Sequence, residues 1–490
     1  MSGELVNVNH RLAASLVAAA LGAPLALALP AAQAAAPAQQ GRGCHLPGAE
    51  EGLRCITVPV DLEYGKPGSA KLKLHVTLAP AFREAARPDP LFILAGGPGE
   101  AGSDVLPLLN TTFRRTRATR DIVFIDQRGT GLSGKLDCPS EAEIDSKTDA
   151  EQEAELKTCI GAIKTPLSAY TTAAAARDIE QVRLAMGYGK INVWGGSYGT
   201  RLGQAYARAY PDSVRALVLD GVAAPDQVIP AGGRDGQAAL DLLFQQCAAD
   251  AACAKAYPAL RSEFDGLVAR LKTAPVALSL PSPRTAEPLQ LNMNSARFLG
   301  TVHNVLYSAL DSRRLPFLIH SAAQGRWAPF IARRNVGSDF STEGGVALVL
   351  HLAVVCAEDY PRMTPALQAE DAKNSFLAGS KSERMLALCK SIQVPAVAWR
   401  EPAVIKAPAL LLSGALDPVT PPRRAVAAAK HMPRAQHLVV ANAGHGISSL
   451  GCAPRLLREF LDQPDKPVAA KCLTDIPAAN FQVGSAGPHP

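Results

Sequence analysis

Charge is scarce in this chain of 490 residues: 19 % are Asp, Glu, Lys or Arg, whereas 48 % are hydrophobic. Chains that stay unfolded carry the opposite balance, so an ordered globular protein is expected. The length is enough for a main domain plus an insertion. The 50 basic and 44 acidic residues leave a formal charge of +6, mild for this length. No dense Lys/Arg block is interleaved with aromatics, which argues against a nucleic-acid partner. Internal repeats and coiled-coil heptads are absent. Low-complexity character is confined to the amino-terminal segment and a polar tail after Val483. There is also no Cys-x-x-Cys and no Cys/His spacing suited to zinc. No metal or other cofactor is expected.

Leu12 to Leu29 is an Ala/Leu run behind Arg11, and Ala32-Gln33-Ala34 fits the small-x-small cleavage rule. Residues 1–34 therefore read as a signal peptide, which predicts a secreted or periplasmic protein. A membrane anchor is the competing reading, but Pro24 and Pro30 interrupt the run and its alanines gain little from burial. No stable anchor is expected. No cysteine stands at the cleavage point, which disfavours a lipoprotein. All ten cysteines lie beyond it, an even number suited to disulfides in an oxidising compartment. Sequence leaves their connectivity open. Successive cysteines close short loops, so neighbour pairing is expected: Cys44 with Cys55, Cys138 with Cys159, Cys247 with Cys253, Cys356 with Cys389, and Cys452 with Cys472.

The densest chemical signal is Lys190-Ile191-Asn192-Val193-Trp194-Gly195-Gly196-Ser197-Tyr198-Gly199-Thr200. An apolar strand runs into a serine with glycines two residues to either side, and a helix-compatible stretch follows. This Gly-x-Ser-x-Gly arrangement is the nucleophile-elbow pattern, a turn too tight for side chains at the flanking positions. Two later strand ends complete an order of Ser, Asp, His. Ala407 to Leu412 reads as a buried strand leading to Asp417 in a Pro-rich loop. Gln436 to Val440 leads to Asn442-Ala443-Gly444-His445-Gly446. Ser197, Asp417 and His445 are the expected catalytic triad. Upstream, the strand Leu91 to Ala95 opens into Gly96-Gly97-Pro98-Gly99. That loop lets backbone N–H groups approach an oxyanion. Gly96 or Gly97 is expected to donate together with Tyr198, the residue after the nucleophile.

Together with Asp126-Gln127-Arg128-Gly129-Thr130-Gly131-Leu132-Ser133, these motifs resemble the prolyl iminopeptidase and tripeptidyl aminopeptidase branch of the α/β-hydrolases. Leu411 to Pro422, Gly444-His445-Gly446 and the trailing Cys452 and Cys472 resemble the carboxy-terminal module of secreted tripeptidyl aminopeptidases. Ala95 departs from the pattern, since these enzymes often carry histidine there. The resemblance implies an α/β fold, with a mostly parallel sheet flanked by helices and an inserted, mainly helical cap. It also implies a serine exopeptidase whose partner is a peptide with a free amino end. In such enzymes a cap carboxylate pairs with the substrate ammonium. Val355-Cys356-Ala357-Glu358-Asp359 looks like the corresponding segment, which points to Glu358 with Asp359 as its neighbour. Arg128 and Asp126 are expected to brace a loop near the site rather than to do chemistry.

Arg215 to Asp220 reads as the strand after the nucleophile helix, and the next strand of the same sheet is the one before Asp417. The expected organisation is a first core part over 35–223, an inserted lid over 224–405 and a second core part over 406–490. The intervening stretch is too long for a loop. An esterase or lipase on the same scaffold is the nearest alternative, because it shares the triad but has no use for an ammonium partner. A catalytically dead binding module is more remote, because all three triad residues are present.

Overall fold

Short apolar runs bounded by glycine and proline build the centre of the molecule. Leu91–Leu94 (β4) and Ile122–Ile125 (β5) are four-residue strands in which every residue is buried. Ala409–Gly414 (β10) is buried throughout as well, and Ile191–Gly196 (β6) and Val214–Asp220 (β7) are nearly as dry. Such continuous hydrophobicity is what a sheet covered on both faces demands. The computed structural model describes residues 41–138, 147–281, 286–339, 345–373, 375–392 and 394–488. The expected signal peptide lies outside them.

Nine strands form one sheet in the order β1-β2-β3-β5-β4-β6-β7-β10-β11. Arg42–Cys44 (β1), Leu53–Asp61 (β2) and Lys71–Ala79 (β3) run antiparallel at one edge, and β3 meets β5 antiparallel. From β5 onward every pairing is parallel, ending on Ala435–Val440 (β11). The two sheet faces alternate residue by residue, as the pleat requires. Phe92, Leu94, Val193, Leu217, Leu219 and Leu411 pack on the helices Thr172–Ala185 and Tyr198–Ala209. Leu91, Ile93, Trp194, Val218, Leu410 and Leu412 pack on Phe113 and the helix Ala453–Asp462.

Between β7 and β10 the chain forms a run of helices and one hairpin, Val276–Pro281 (β8) with Pro288–Met293 (β9). These helices carry a separate apolar cluster around Leu243, Phe264, Phe298 and Phe330. The helix Leu348–Glu358 links the main sheet's core to a third, smaller apolar cluster. Its Leu350, Ala353 and Val354 sit against the main sheet's core, whereas Val349, Leu352 and Cys356 face Leu388 and Cys389. The stretch after Val483 is not a loose polar tail. Gln482–Gly484 (β12) and Gly487–Pro488 (β13) pair as a short hairpin. Phe481 is buried beneath the Arg313 guanidinium, and Gln482 bonds the Arg313 carbonyl and the Tyr257 hydroxyl. One aromatic side chain with a place to go is enough to order the segment.

All five neighbour disulfides are present, and no cysteine is free. Cys356–Cys389 ties the end of the Leu348–Glu358 helix to the helix Ser380–Ile392. No helix among the described residues is long and apolar enough to cross a membrane.

Candidate active site

Parallel register brings the strand ends to one level. Leu94 lies opposite Gly195, Gly196 opposite Asp220, Asp220 opposite Leu412, and Gly414 opposite Val440. The loops after these strands therefore share one edge of the sheet. The chain passes from β4 to β5 on one side and then to β6 on the other, which opens a crevice at the carboxyl ends of β4 and β6.

Ser197 stands in that crevice between β6 and the helix Tyr198–Ala209. Its backbone is left-handed, φ 52° and ψ −122°, in a region that costs a non-glycine residue about 1–3 kcal/mol. The flanking glycines are steric necessities. A Cβ on Gly195 would lie 2.4 Å from the Gly199 carbonyl oxygen, and one on Gly199 would lie 2.1 Å from that of Leu94. The Ser197 N–H donates to the Asp220 carbonyl at 2.9 Å, and the Thr200 N–H and hydroxyl return bonds to the Ser197 carbonyl.

Asp220 also organises the histidine loop. Its carboxylate accepts the N–H groups of Ile447 and Ser448 at 2.7–2.9 Å. The His445 ring lies over the next residue, Gly221, where an added Cβ would be 2.9 Å from Cε1. Ser197 and His445 are thus both pinned to the end of β7. The Nδ1–H of His445 donates to Asp417 Oδ2 at 2.7 Å, leaving Nε2 as the basic nitrogen. Asp417 is in turn held by the N–H groups of Val419 and Thr420 and by the Thr420 hydroxyl, at 2.7–2.8 Å. Burial alone would depress the imidazole pKa. The Asp417 charge and hydrogen bond outweigh it, Asp220 and Glu100 add to them, and the net shift is upward. Burial likewise opposes ionisation of Asp417, yet His445 and Thr420 hold its pKa below the ordinary carboxylate value.

Across the crevice, the loop after β4 approaches the nucleophile closely. A Cβ on Gly96 would meet Ser197 Cβ at 3.0 Å. The Gly96 N–H does not point at a vacant oxyanion position, because it donates to Glu100 Oε2 at 2.8 Å. Of the two expected glycine donors, Gly96 is therefore already committed within its own tight loop. Arg128 braces the neighbouring loop as expected. Its guanidinium takes both oxygens of Asp178 at 2.7 Å and the carbonyls of Asp61, Leu62 and Ala169. Asp126 likewise accepts from the backbone of Ser103 and Leu132.

The two acids expected at the amine site are occupied differently. Asp359 is fully enclosed and accepts from both Arg201 terminal nitrogens, from Arg362 and from the Ile229 N–H. Three of these donors fall on Oδ1 and one on Oδ2, so the charge of Asp359 is already matched by Arg201 and Arg362. Glu358 keeps slight exposure, but its oxygens receive the Thr172 N–H at 2.6 Å and the Thr172 hydroxyl at 2.7 Å, with Arg201 at 3.9 Å. It caps the start of the Thr172–Ala185 helix, and Thr172 also meets the Tyr198 hydroxyl at 2.7 Å.

Sequence reasoning passed over Thr420, Asp220, Glu100 and Tyr307. An Asp with a Thr three residues later is a readable turn signal, and an acid closing a buried strand is another. Tyr307 carries no such mark. It comes from the inserted helices, accepts the His445 N–H at 2.7 Å and packs edge-on to the imidazole with ring centroids 5.1 Å apart.

Comparison with known proteins agrees with this architecture. Residues 89–295 match the family model described as alpha/beta hydrolase fold, and residues 374–472 match that of the TAP-like proteins. Serine protease Hip1 of Mycobacterium tuberculosis is 28 % identical over 86 % of this chain and 87 % of its own length. Tripeptidyl aminopeptidase of Streptomyces coelicolor is 30 % identical over 36 % of each chain. Proline iminopeptidase of Neisseria gonorrhoeae is 33 % identical over 29 % of this chain and 36 % of its own. Strand order, elbow and relatives agree: the chain has the α/β-hydrolase fold of a serine hydrolase and is similar to the proline iminopeptidases and tripeptidyl aminopeptidases.

Proposed function

We propose that this chain is a secreted serine exopeptidase that cleaves peptides next to their free amino end through an acyl-enzyme. The observation that carries the reading is the 2.7 Å bond between His445 and Asp417 on the same sheet edge as the strained Ser197. In the reaction, His445 Nε2 takes the Ser197 proton as the hydroxyl attacks the scissile carbonyl. Asp417 holds the tautomer and stabilises the imidazolium. The N–H groups of Gly97 and Tyr198 meet the oxyanion, each worth about 3 kcal/mol of barrier. His445 then protonates the leaving amine, and water, activated by the same imidazole, releases the acyl group.

In this reading residues 224–405 act as a lid that excludes water and the middle of long chains. The five disulfides support a destination outside the reducing cytosol. The test compares free and amino-blocked anilides on the purified mature enzyme and on Ser197→Ala. The variant should fold normally and lose activity by about 10⁴-fold or more. Undiminished turnover by the variant removes the nucleophile assignment. Equal cleavage of blocked and free substrates by the wild type replaces the exopeptidase with the esterase-like alternative.

A further inference from the structure

One carboxylate at the centre of the site has no task in the mechanism above. Glu100 follows the Gly96–Gly99 turn, and its side chain folds back so that Oε2 accepts the Gly96 N–H at 2.8 Å. A Cβ on Gly96 would touch both Ser197 Cβ, at 3.0 Å, and Glu100 Oε2, at 3.1 Å. The carboxyl and the nucleophile therefore crowd the same face of one glycine. Its second oxygen, Oε1, receives no hydrogen bond from any described residue, and the residue is partly exposed. No Lys or Arg is among the groups that shift it. The charges that act on it are Asp104, which opposes ionisation, and His445, which favours it. Burial is the dominant influence and holds its pKa above the ordinary carboxylate value.

A desolvated acid with one oxygen anchored and the other open is costly unless a cation completes it. Beside a nucleophile the cost rises further, because an ionised Glu100 repels the developing oxyanion. A substrate that carries its own positive charge to this point removes both penalties at once.

Resting on the exopeptidase reading above, we infer that Glu100 binds the α-ammonium of the substrate and that the unit released is a single amino-terminal residue. The length follows from reach. In a one-residue acyl unit the α-nitrogen is separated from the scissile carbonyl carbon only by Cα, so a carboxylate next to Ser197 can touch it. In a tripeptidyl unit the amine is two residues further away, about 7 Å along an extended chain. Glu358 and Asp359, by contrast, already have their donors in Thr172 and the two arginines.

The test is Glu100→Gln, which keeps an acceptor for the Gly96 N–H while removing the charge. Four substrates are compared: alanyl anilide, acetyl-alanyl anilide, acetyl-lysyl anilide and p-nitrophenyl acetate. The variant should lose kcat/KM on the free alanyl anilide by about 10- to 100-fold, the worth of a charged hydrogen bond. It should process the acetylated anilide and the ester at least as fast as the wild type. Product analysis on free penta-alanine should show alanine, not tri-alanine, as the first product. Parallel loss on all substrates would reduce Glu100 to a support of the loop. An unchanged preference for free amines would place the ammonium elsewhere. Efficient cleavage of acetyl-lysyl anilide would assign Glu100 to a side-chain cation, and tri-alanine released first would refute the length. Each of these overturns the inference. A wild type indifferent to blocking instead sinks the exopeptidase reading, which is read separately from the variant.

Discussion

Asp417 and Asp359 are both fully enclosed carboxylates, each holding four donated hydrogen bonds, yet they do opposite things. Asp417 accepts from Val419, from Thr420 twice, and from His445. Asp359 accepts from Arg201 twice, from Arg362 and from Ile229. Burial and the number of donors are the same, so neither separates the proposed catalytic acid from a structural one. The difference is the proton affinity of the cationic partner. An imidazole gains and loses its proton near neutrality, so Asp417 can stabilise a charge that appears only during reaction. Guanidinium stays charged at every working pH, so Asp359 is neutralised permanently and serves as a rivet between the nucleophile helix and the inserted helices.

The comparison is broken most forcefully at Asp417. Asp417→Asn should leave the fold intact and lower kcat by about 10⁴-fold, because the amide favours the wrong imidazole tautomer. An activity within tenfold of wild type would mean that Asp417 does not orient the histidine. The same pair sets the acid limb of the pH profile. With the His445 pKa raised above its ordinary 6.5, kcat/KM falls as pH drops through that raised value, since a protonated imidazole cannot accept the serine proton. In Asp417→Asn the residual activity should show this midpoint moved to lower pH. An unmoved midpoint would assign the limb to another group.

Asp359→Asn should show the reverse profile. Stability to urea should fall by about 3 kcal/mol, because the buried Arg201 and the half-buried Arg362 lose their counter-charge. The folded fraction should retain its preference for free over blocked anilides. A stable variant that has lost this preference would return Asp359 to the amine site. The smallest change is expected at Glu358→Gln. The amide can still accept from the Thr172 N–H, so kinetic constants should shift by less than about fivefold. A collapse of free-amine selectivity there, with Glu100→Gln silent, would exchange the roles of the two acids.

The parts that were readable in advance are local in kind. Glycines two residues either side of Ser197 mark the elbow because a side chain there would collide with backbone, so the residue type itself records the geometry. Asp417 and His445 each follow a run of buried strand residues, and the parallel sheet converts that position into proximity. Neighbour pairing of the cysteines is likewise a matter of short loops. The surroundings of Asp359, Glu358 and Gly96 were not legible in the sequence, for one common reason. Each has the correct residue type near the correct place, but its hydrogen-bonding capacity is spent on Arg201, Thr172 or Glu100, partners supplied by other segments or by a folded-back side chain. Tyr307 left no trace because it reaches His445 from an insertion whose packing has no periodic signature at that residue.

The amino-acid order alone therefore marked the central strands, the elbow and the triad candidates, since each follows from sterics or spacing within a few residues, and it favoured neighbour pairing of the cysteines without fixing it. Which carboxylates are free to meet a substrate was decided only by the tertiary structure. A side chain's chemistry is written in its identity, but its remaining valence depends on what folding places around it. Asp359 and Glu100 show it: one is enclosed by arginines, and the other lies beside the nucleophile with an oxygen to spare.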